Sequence, residues 1–342
     1  MKKILIIGGA GFIGSNCAEY FHKKGWSVYI FDNLSRKGTQ INLSRIQKKI
    51  RKFFRGDIKI FDSINNILKK LKPDVVIHAA GQVAVTTSII NPRYDFEDNL
   101  LGTFNILESL RINDLKSKLI YTSTNKVYGA LENIPLKKNE YRYDFLNLKK
   151  GINEKSNLDF HSPYGCSKGA ADQYVNDYSR IFKIDSYVLR QSCIYGQNQF
   201  GIEDQGWVAW FLIASLLNKK IKIYGDGKQV RDILFIEDLC ELFYKISISK
   251  TDKIQDRIYN VGGGKKFSLS LLELVNYLKK RKKIKLNYSF SNSRKGDQKI
   301  YISDNSKITK KFKWKPSVKP YDGIDKLIEW IKLNKKTISK IF

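Results

Sequence analysis

Ile4-Leu5-Ile6-Ile7-Gly8-Gly9-Ala10-Gly11-Phe12-Ile13-Gly14-Ser15-Asn16-Cys17-Ala18 decides the fold. A short apolar run rich in β-branched residues meets a glycine cluster and then helix-forming sequence, which reads as strand, tight turn, helix start. Gly8, Gly11 and Gly14 stand three apart. That spacing lets the backbone turn sharply and brings bare amides, those of Phe12 and Ile13 among them, to a pyrophosphate at the helix N-terminus. A second apolar run, Val28-Tyr29-Ile30-Phe31, ends in Asp32, eighteen positions after Gly14. This is near the spacing of a carboxylate that grips a ribose diol. Such a carboxylate repels a 2′-phosphate and favours NAD over NADP, although Arg36 and Lys37 nearby offer a phosphate a partner.

Outward from this unit, apolar runs alternate with amphipathic stretches for more than half of the chain. Val75-Val76-Ile77-His78-Ala79-Ala80-Gly81 reads as a buried strand ending in small residues, where backbone can pass close to a cofactor. Helix follows Asn99-Leu100-Leu101-Gly102-Thr103, and Leu119 to Thr124 and Ser186 to Arg190 read as further strands. Repeated β-α units predict an α/β fold with a doubly wound parallel sheet of the Rossmann type. Ligands in such sheets bind beyond the carboxyl ends of the strands. From Gly201 the alternation lapses, and a second, smaller substrate-binding domain is expected there. No internal repeat is found.

Composition bounds the function. The 342 residues suffice for a large core and suit one nucleotide domain with an appended domain. Sixty-two basic against thirty-three acidic residues give a formal charge of +29. The excess is mostly lysine, spread in clusters such as Lys279-Lys280-Arg281-Lys282-Lys283, so we read a solvated basic surface and no nucleic-acid partner. Cys17, Cys166, Cys193 and Cys240 lie far apart in sequence without metal-ligand spacing, and no disulfide framework or metal site is implied. No apolar run approaches membrane-spanning length and no cleavable leader precedes the first strand, so a cytoplasmic protein without membrane association is expected.

Tyr164-Gly165-Cys166-Ser167-Lys168 supplies the candidate chemistry. Residues four apart stack on one helix face. A free tyrosine, with pKa about 10, is a poor base near neutrality, and a fixed ammonium alongside is expected to lower that value. The pair is a candidate proton acceptor for an alcohol.

Together, Gly8 to Gly14, Asp32, Asp57, Ala79-Ala80-Gly81, Thr122-Ser123-Thr124 with Val127-Tyr128-Gly129, and Tyr164 with Lys168 resemble the extended short-chain dehydrogenase/reductases that act on nucleotide sugars. Phe31 to Gly38, Gly81-Gln82-Val83-Ala84, Ser123 to Gly129, Leu158 to Tyr174, Asp204 to Val208 and Gly225 to Asp232 are similar to the branch that epimerises CDP-sugars at C2. The resemblance implies NAD as cofactor, a nucleotide-sugar substrate with CDP favoured, and a homo-oligomer, dimer or tetramer. It implies a division into 1–190 with a returning segment about 228–262 as the NAD-binding domain, and 191–227 with 263–342 as the nucleotide-sugar domain.

The resemblance also implies roles. Tyr164 takes the sugar hydroxyl proton, Lys168 holds its pKa down and bonds the nicotinamide ribose, and Thr124 orders the alcohol. Asn33, Ser35, Arg36, Asp57, Ile58, Ala79, Ala80, Gln82, Asn99 and Thr122 join Gly8 to Gly14 and Asp32 around the cofactor, Asn99 being open between this and a helix cap. Gln82, Thr124, Asn125, Cys193, Gln205, Trp207, Val208, Arg231, Arg294 and Asp297 are the substrate set, with Thr86, Thr87 and His161 as lesser candidates. Guanidinium forks suit a diphosphate and a carboxylate suits a diol. Dehydratases of this family follow the strand threonine with Asp-Glu, whereas here Asn125-Lys126 stand there, which disfavours dehydration. Epimerisation at C2 is expected; a UDP-glucose-type 4-epimerase and a nucleotide-sugar dehydrogenase or reductase stay open.

Overall fold

The computed structural model describes residues 1–250, 257–294 and 297–342. The strands are β1 (Lys3–Ile7), β2 (Ser27–Asp32), β3 (Lys52–Arg55), β4 (Val75–His78), β5 (Lys118–Thr124), β6 (Leu136–Lys138), β7 (Tyr143–Phe145), β8 (Ser186–Gln191), β9 (Cys193–Tyr195), β10 (Ile221–Tyr224), β11 (Val230–Phe235), β12 (Ile258–Val261), β13 (Ser268–Ser270), β14 (Tyr288–Ser291) and β15 (Ile300–Tyr301). The main sheet runs β12-β8-β5-β4-β1-β2-β3. β1 pairs in parallel with β2 on one side and with β4 on the other, Ile7 opposite both Phe31 and His78. The chain therefore winds outward through β2 and β3 and returns to start β4 beside β1. That reversal is the switch point at which doubly wound sheets hold ligands.

The expected strands all form, and β3, which the sequence reading passes over, adds an edge. Its sequence, Lys-Phe-Phe-Arg, carries charges at both ends as edge strands do. Beneath the sheet, Leu5, Ile7, Val76, Leu119 and Tyr121 pack with Ile106, Leu107 and Leu110 of one helix and Val175 of another into a single core. The central stretches of these strands, Ile4 to Ile7, Val75 to Ile77 and Leu119 to Tyr121, are continuously apolar because parallel sheets are covered on both faces.

Two compact units emerge: 1–127 with 162–190 and 240–259, and 128–161 with 191–239 and 260–342. Residues 128–161, 228–239 and 260–262, which the sequence division assigns to the nucleotide domain, cluster in the second unit. The cause is local bonding: Gln298 Nε2 donates to Gly129 O at 2.6 Å, Tyr128 Oη to Asn260 Oδ1 at 2.8 Å, and Ile152 N to Ile302 O at 2.8 Å. In this unit β11 pairs with β9, β13 and β15, while β10 pairs with β14. Residues 251–256, part of the expected returning segment, and Lys295-Gly296 lie outside the described residues.

None of the four cysteines is in a disulfide, and Cys17 and Cys240, distant in sequence, bring their sulfurs to 3.7 Å. Among the described residues no helix is long and apolar enough to cross a membrane. One buried ion pair pins the sheet to the helix Ser162–Phe182: Arg190 Nε and Nη2 each donate to Asp172 at 2.9 Å, both side chains at most 2% exposed. Asp172 also accepts from Ser123 Oγ at 2.8 Å. Removing one partner of such a pair strands a buried charge. Arg190→Met is expected to lower unfolding free energy by about 3–5 kcal/mol, read from chemical denaturation.

Candidate active site

The glycine turn is built by exclusion. Gly8 has φ +79, and a Cβ there would lie 2.6 Å from Ala80 N at the end of β4; a Cβ on Gly14 would lie 2.2 Å from Gly8 O. Neither contact leaves room for a side chain, so the turn sits directly on the strand end. The helix Phe12–Lys23 then opens with extended Gly11 as its cap, without a side-chain capping bond and without an acid in its first turn. Its leading amides remain available to an anion. Asp32, 8% exposed, accepts from Ala10 N at 3.0 Å and Leu34 N at 2.8 Å, so the acid braces the turn it follows. Burial raises its pKa, and those backbone donors oppose the shift.

Around this acid stand the other cofactor candidates of the first unit. Asn33 Nδ2 donates to Asp57 at 3.2 Å and Asn33 Oδ1 accepts from Ser35 N at 3.0 Å. Ile58 is buried, and Asn105 Nδ2 donates to its carbonyl at 2.8 Å. Arg36 is exposed, but its charge acts on Asp32, Asp98, Tyr94 and Tyr164.

The helix Ser162–Phe182 carries both Tyr164 and Lys168. Lys168, 4% exposed, donates to Thr122 O at 2.6 Å and lies 4.3 Å from the centre of the Tyr121 ring. Burial pushes its ammonium down to about 7, against the pull of Asp172 and Asp95. Tyr164 is also buried, and burial pushes its phenol up to about 12, with Thr124 and Arg36 lowering it in part and Asp95 raising it. The expectation that Lys168 holds the phenol down is thus not met in the chain alone. Desolvation outweighs the charges around Tyr164, and the ammonium is spent on a backbone carbonyl. Thr124 also reaches Asn125 Oδ1 at 3.4 Å and accepts from Lys126 N at 3.3 Å.

Asp95, fully buried, went unnoticed in the sequence. It accepts from Gln82 Nε2 and Asn99 Nδ2, each at 3.1 Å, and from Ser167 Oγ. Both ends of the Gln82 amide are engaged with the chain, Nε2 donating also to Ala84 O at 2.7 Å and Oε1 accepting from Ala84 N. Asn99 Oδ1 and Thr86 Oγ1 are buried without a hydrogen-bond partner among the described residues.

The remaining candidates fall in the second unit. Arg231, 8% exposed, donates to Asp297 Oδ1 at 2.7 Å. Arg294 donates to Asp204 Oδ1 at 2.7 Å and lies 3.9 Å from the centre of the Tyr224 ring. Gln205 pairs its backbone with Ile202, Trp207 opens the helix Trp207–Leu216 with its indole N–H buried and without a hydrogen-bond partner among the described residues, and Val208 is buried. Cys193 lies opposite Ile233 in the β9–β11 pair, and His161 Nε2 is 3.0 Å from Asp159.

Residues 4–262 match the model of the NAD dependent epimerase/dehydratase family. The chain belongs to that family. Among relatives of this NAD-dependent epimerase/dehydratase, the CDP-paratose 2-epimerase of Salmonella typhi is 44% identical over 334 residues, 96% of this chain and 98% of that protein. A putative UDP-glucose 4-epimerase of Methanocaldococcus jannaschii is 31% identical, covering 98% of this chain and 100% of the other. The crystal structure of the UDP-glucuronic acid 4-epimerase of Bacillus cereus, in complex with UDP-glucuronic acid and NAD, superposes with a TM-score of 0.81 at 27% identity, covering 97% of this chain and 99% of that one. The chain's donor set fits the family's NAD: uncapped helix amides suit the pyrophosphate and Asp32 suits a ribose diol.

The lysine's burial has a measurable sign. Folded Lys168 titrates at about 7, against 10.5 ordinarily. Between those values the unfolded chain binds the extra proton, so stability rises with pH across the window. In the cofactor-free protein, Tm relative to Lys168→Met is expected to climb between about pH 7 and about pH 9, followed by calorimetry.

Proposed function

We propose that the chain interconverts CDP-paratose and CDP-tyvelose by transient oxidation at C2 and return of the hydride to the opposite face. The observation that carries this reading is the 44% identity to a CDP-paratose 2-epimerase along nearly the whole of both chains. The active-site residues support it. Thr124 is followed by Asn125-Lys126, so the acid and base needed to expel water are missing from that position. In a 3,6-dideoxy sugar a ketone at C4 acidifies C3 and C5 but not C2, which makes direct oxidation at C2 the economical route.

NAD, when bound, accepts and returns the hydride, the one function that the chain's own groups lack. Tyr164 takes the proton of the C2 hydroxyl as the ketone forms and gives it back as the alcohol reforms, so no net redox change results. Thr124 orders the hydroxyl against the phenol, and Lys168 keeps positive charge beside them. Because burial, with Asp95, keeps the phenol at about 12 against the opposing pull of Thr124 and Arg36, the base becomes competent only when further positive charge enters its surroundings. In the second unit Arg231 and Arg294 receive the diphosphate, and Asp297 and Gln205 the nucleoside. Thr86, its hydroxyl unpartnered, is free for a sugar hydroxyl.

A homo-oligomer accompanies this reading. Tyr174, Ile181 and Phe182 on the helix Ser162–Phe182 and Ile112 on the helix Gly102–Ile112 are exposed, an apolar face suited to a second copy of the chain. A cytoplasmic location fits an enzyme of nucleotide sugars.

Incubation with CDP-, UDP-, GDP- and dTDP-sugars in deuterated water tests the proposal. Inversion at C2 of CDP-paratose without solvent deuterium is expected; deuterium incorporation would indicate enolisation, and inversion of UDP-glucose at C4 would replace the assignment with the 4-epimerase. Tyr164→Phe is expected to retain substrate binding while turnover drops roughly a thousandfold.

A further inference from the structure

We propose that Asp95 is a positioning residue of the active site. Its carboxylate ties the helix bearing Tyr164 and Lys168 to the Gly81-Gln82 turn and serves as counter-charge to the Lys168 ammonium. This rests on the reading of Tyr164 and Lys168 given above.

Three side chains on three separate segments converge on this one buried group. Gln82 follows the end of β4, Asn99 lies one helical turn beyond Asp95, and Ser167 precedes Lys168 on the catalytic helix. An amide NH2 can only donate, and Oδ1 receives two of them, which the ionised, acceptor-only carboxylate accommodates. Ser167 Oγ joins the network twice more, 3.2 Å from Asn99 Nδ2 and 3.3 Å from Tyr164 O. Asp95 is therefore one side chain removed from the backbone of the proton-accepting tyrosine. Such a network is fully bonded on the carboxylate side, and a buried polar group in that state fixes the geometry of its partners.

The charges facing Lys168 are few. Asp172 lies one turn further along the same helix, its charge shared with Arg190. Asp95 comes from the short helix Pro92–Phe96. From the sheet come neutral groups, the Tyr121 ring, the Thr122 carbonyl and His78, whose imidazole burial and Lys168 both keep uncharged. Asp172 pulls harder on the ammonium than Asp95 does, but its charge is shared with Arg190, whereas the donors on Asp95 are neutral amides and a hydroxyl. Removing Asp95 leaves Asp172, already paired with Arg190, as the remaining counter-charge, and desolvation then favours loss of the proton.

The full chain loaded with NAD provides kcat, KM and their pH dependence. Carbon-13 labelling of lysine Cε reports the Lys168 titration by NMR independently of turnover. Asp95→Asn is expected to lower kcat about a hundredfold, with KM within about twofold, and to move both the alkaline limb and the Lys168 titration about one unit to lower pH. Asp95→Glu is expected to restore the pH limb without restoring kcat in full. A folded Asp95→Asn with the wild-type kcat and Lys168 titration overturns the proposal. Should Asp95→Asn not fold, Ser167→Ala keeps the charge and cuts only the tie: a lowered kcat with an unmoved Lys168 titration supports the proposal, and wild-type kcat overturns it. Turnover by Tyr164→Phe would remove the catalytic reading beneath, whereas inactive Tyr164→Phe beside wild-type-like Asp95→Asn removes this proposal alone.

Discussion

An ammonium taken out of water is costly unless hydrogen bonds and opposite charge meet it, and the first unit is arranged around one. Lys168 is wedged between its helix and the sheet, donating to the Thr122 carbonyl. Holding it there recruits Asp172 and, through that carboxylate, Arg190 and Ser123. Asp95 enters from the other side with Gln82, Asn99 and Ser167. The ends of β4 and β5, the short helix Pro92–Phe96 and the helix Ser162–Phe182 thus meet at a single buried cation. Packing alone would hold these elements together, but it would not fix the tyrosine one turn away.

The same burial that fixes the pair also disarms it. Desolvation moves both groups toward neutrality, the phenol upward and the ammonium downward. The phenol is then not a base in the chain by itself. A site of this kind is activated by what enters it, since any added positive charge counts for more in a low-dielectric setting than it would in water.

Much of this was legible in the sequence, and for definite reasons. The strand, turn and helix around Gly8 and Gly14 follow from local backbone constraints, and glycine spacing records those directly. Tyr164 and Lys168 are four apart on one helix, so periodicity alone brings them together. Asp95 left no such trace, because its partners lie thirteen and seventy-two positions away, at Gln82 and Ser167, and an acid in a short polar helix reads as solvated. The membership of residues 128–161 was hidden for the same reason. It depends on Gly129, Ile152 and Tyr128 finding Gln298, Ile302 and Asn260, pairings that no local pattern encodes. The phenol's upward shift in the chain alone was not legible, because spacing reports proximity but not desolvation.

The second unit treats its cations differently. Arg231 spends one donor on its neighbour's carbonyl and one on Asp297, and Arg294 has one on Asp204 while its plane rests against Tyr224. A guanidinium has five N–H donors in a rigid fork. Each carboxylate therefore orients the fork while leaving donors over, so that under the proposed function a diphosphate binds without first displacing the acid. Lysine would not serve here, because its rotating ammonium takes no orientation from a single carboxylate. The lysines that make the chain so basic contribute instead through the summed field. Among the described residues Asp32, Asp95, Asp98, Asp172, Asp232 and Asp238 are buried, against Lys118, Lys168, Arg190, Arg231 and Arg257, so the interior nearly balances and the positive excess of the chain lies on the surface. An anionic nucleotide is drawn toward such a surface from a distance, and only the oriented forks and buried acids can then distinguish one anion from another.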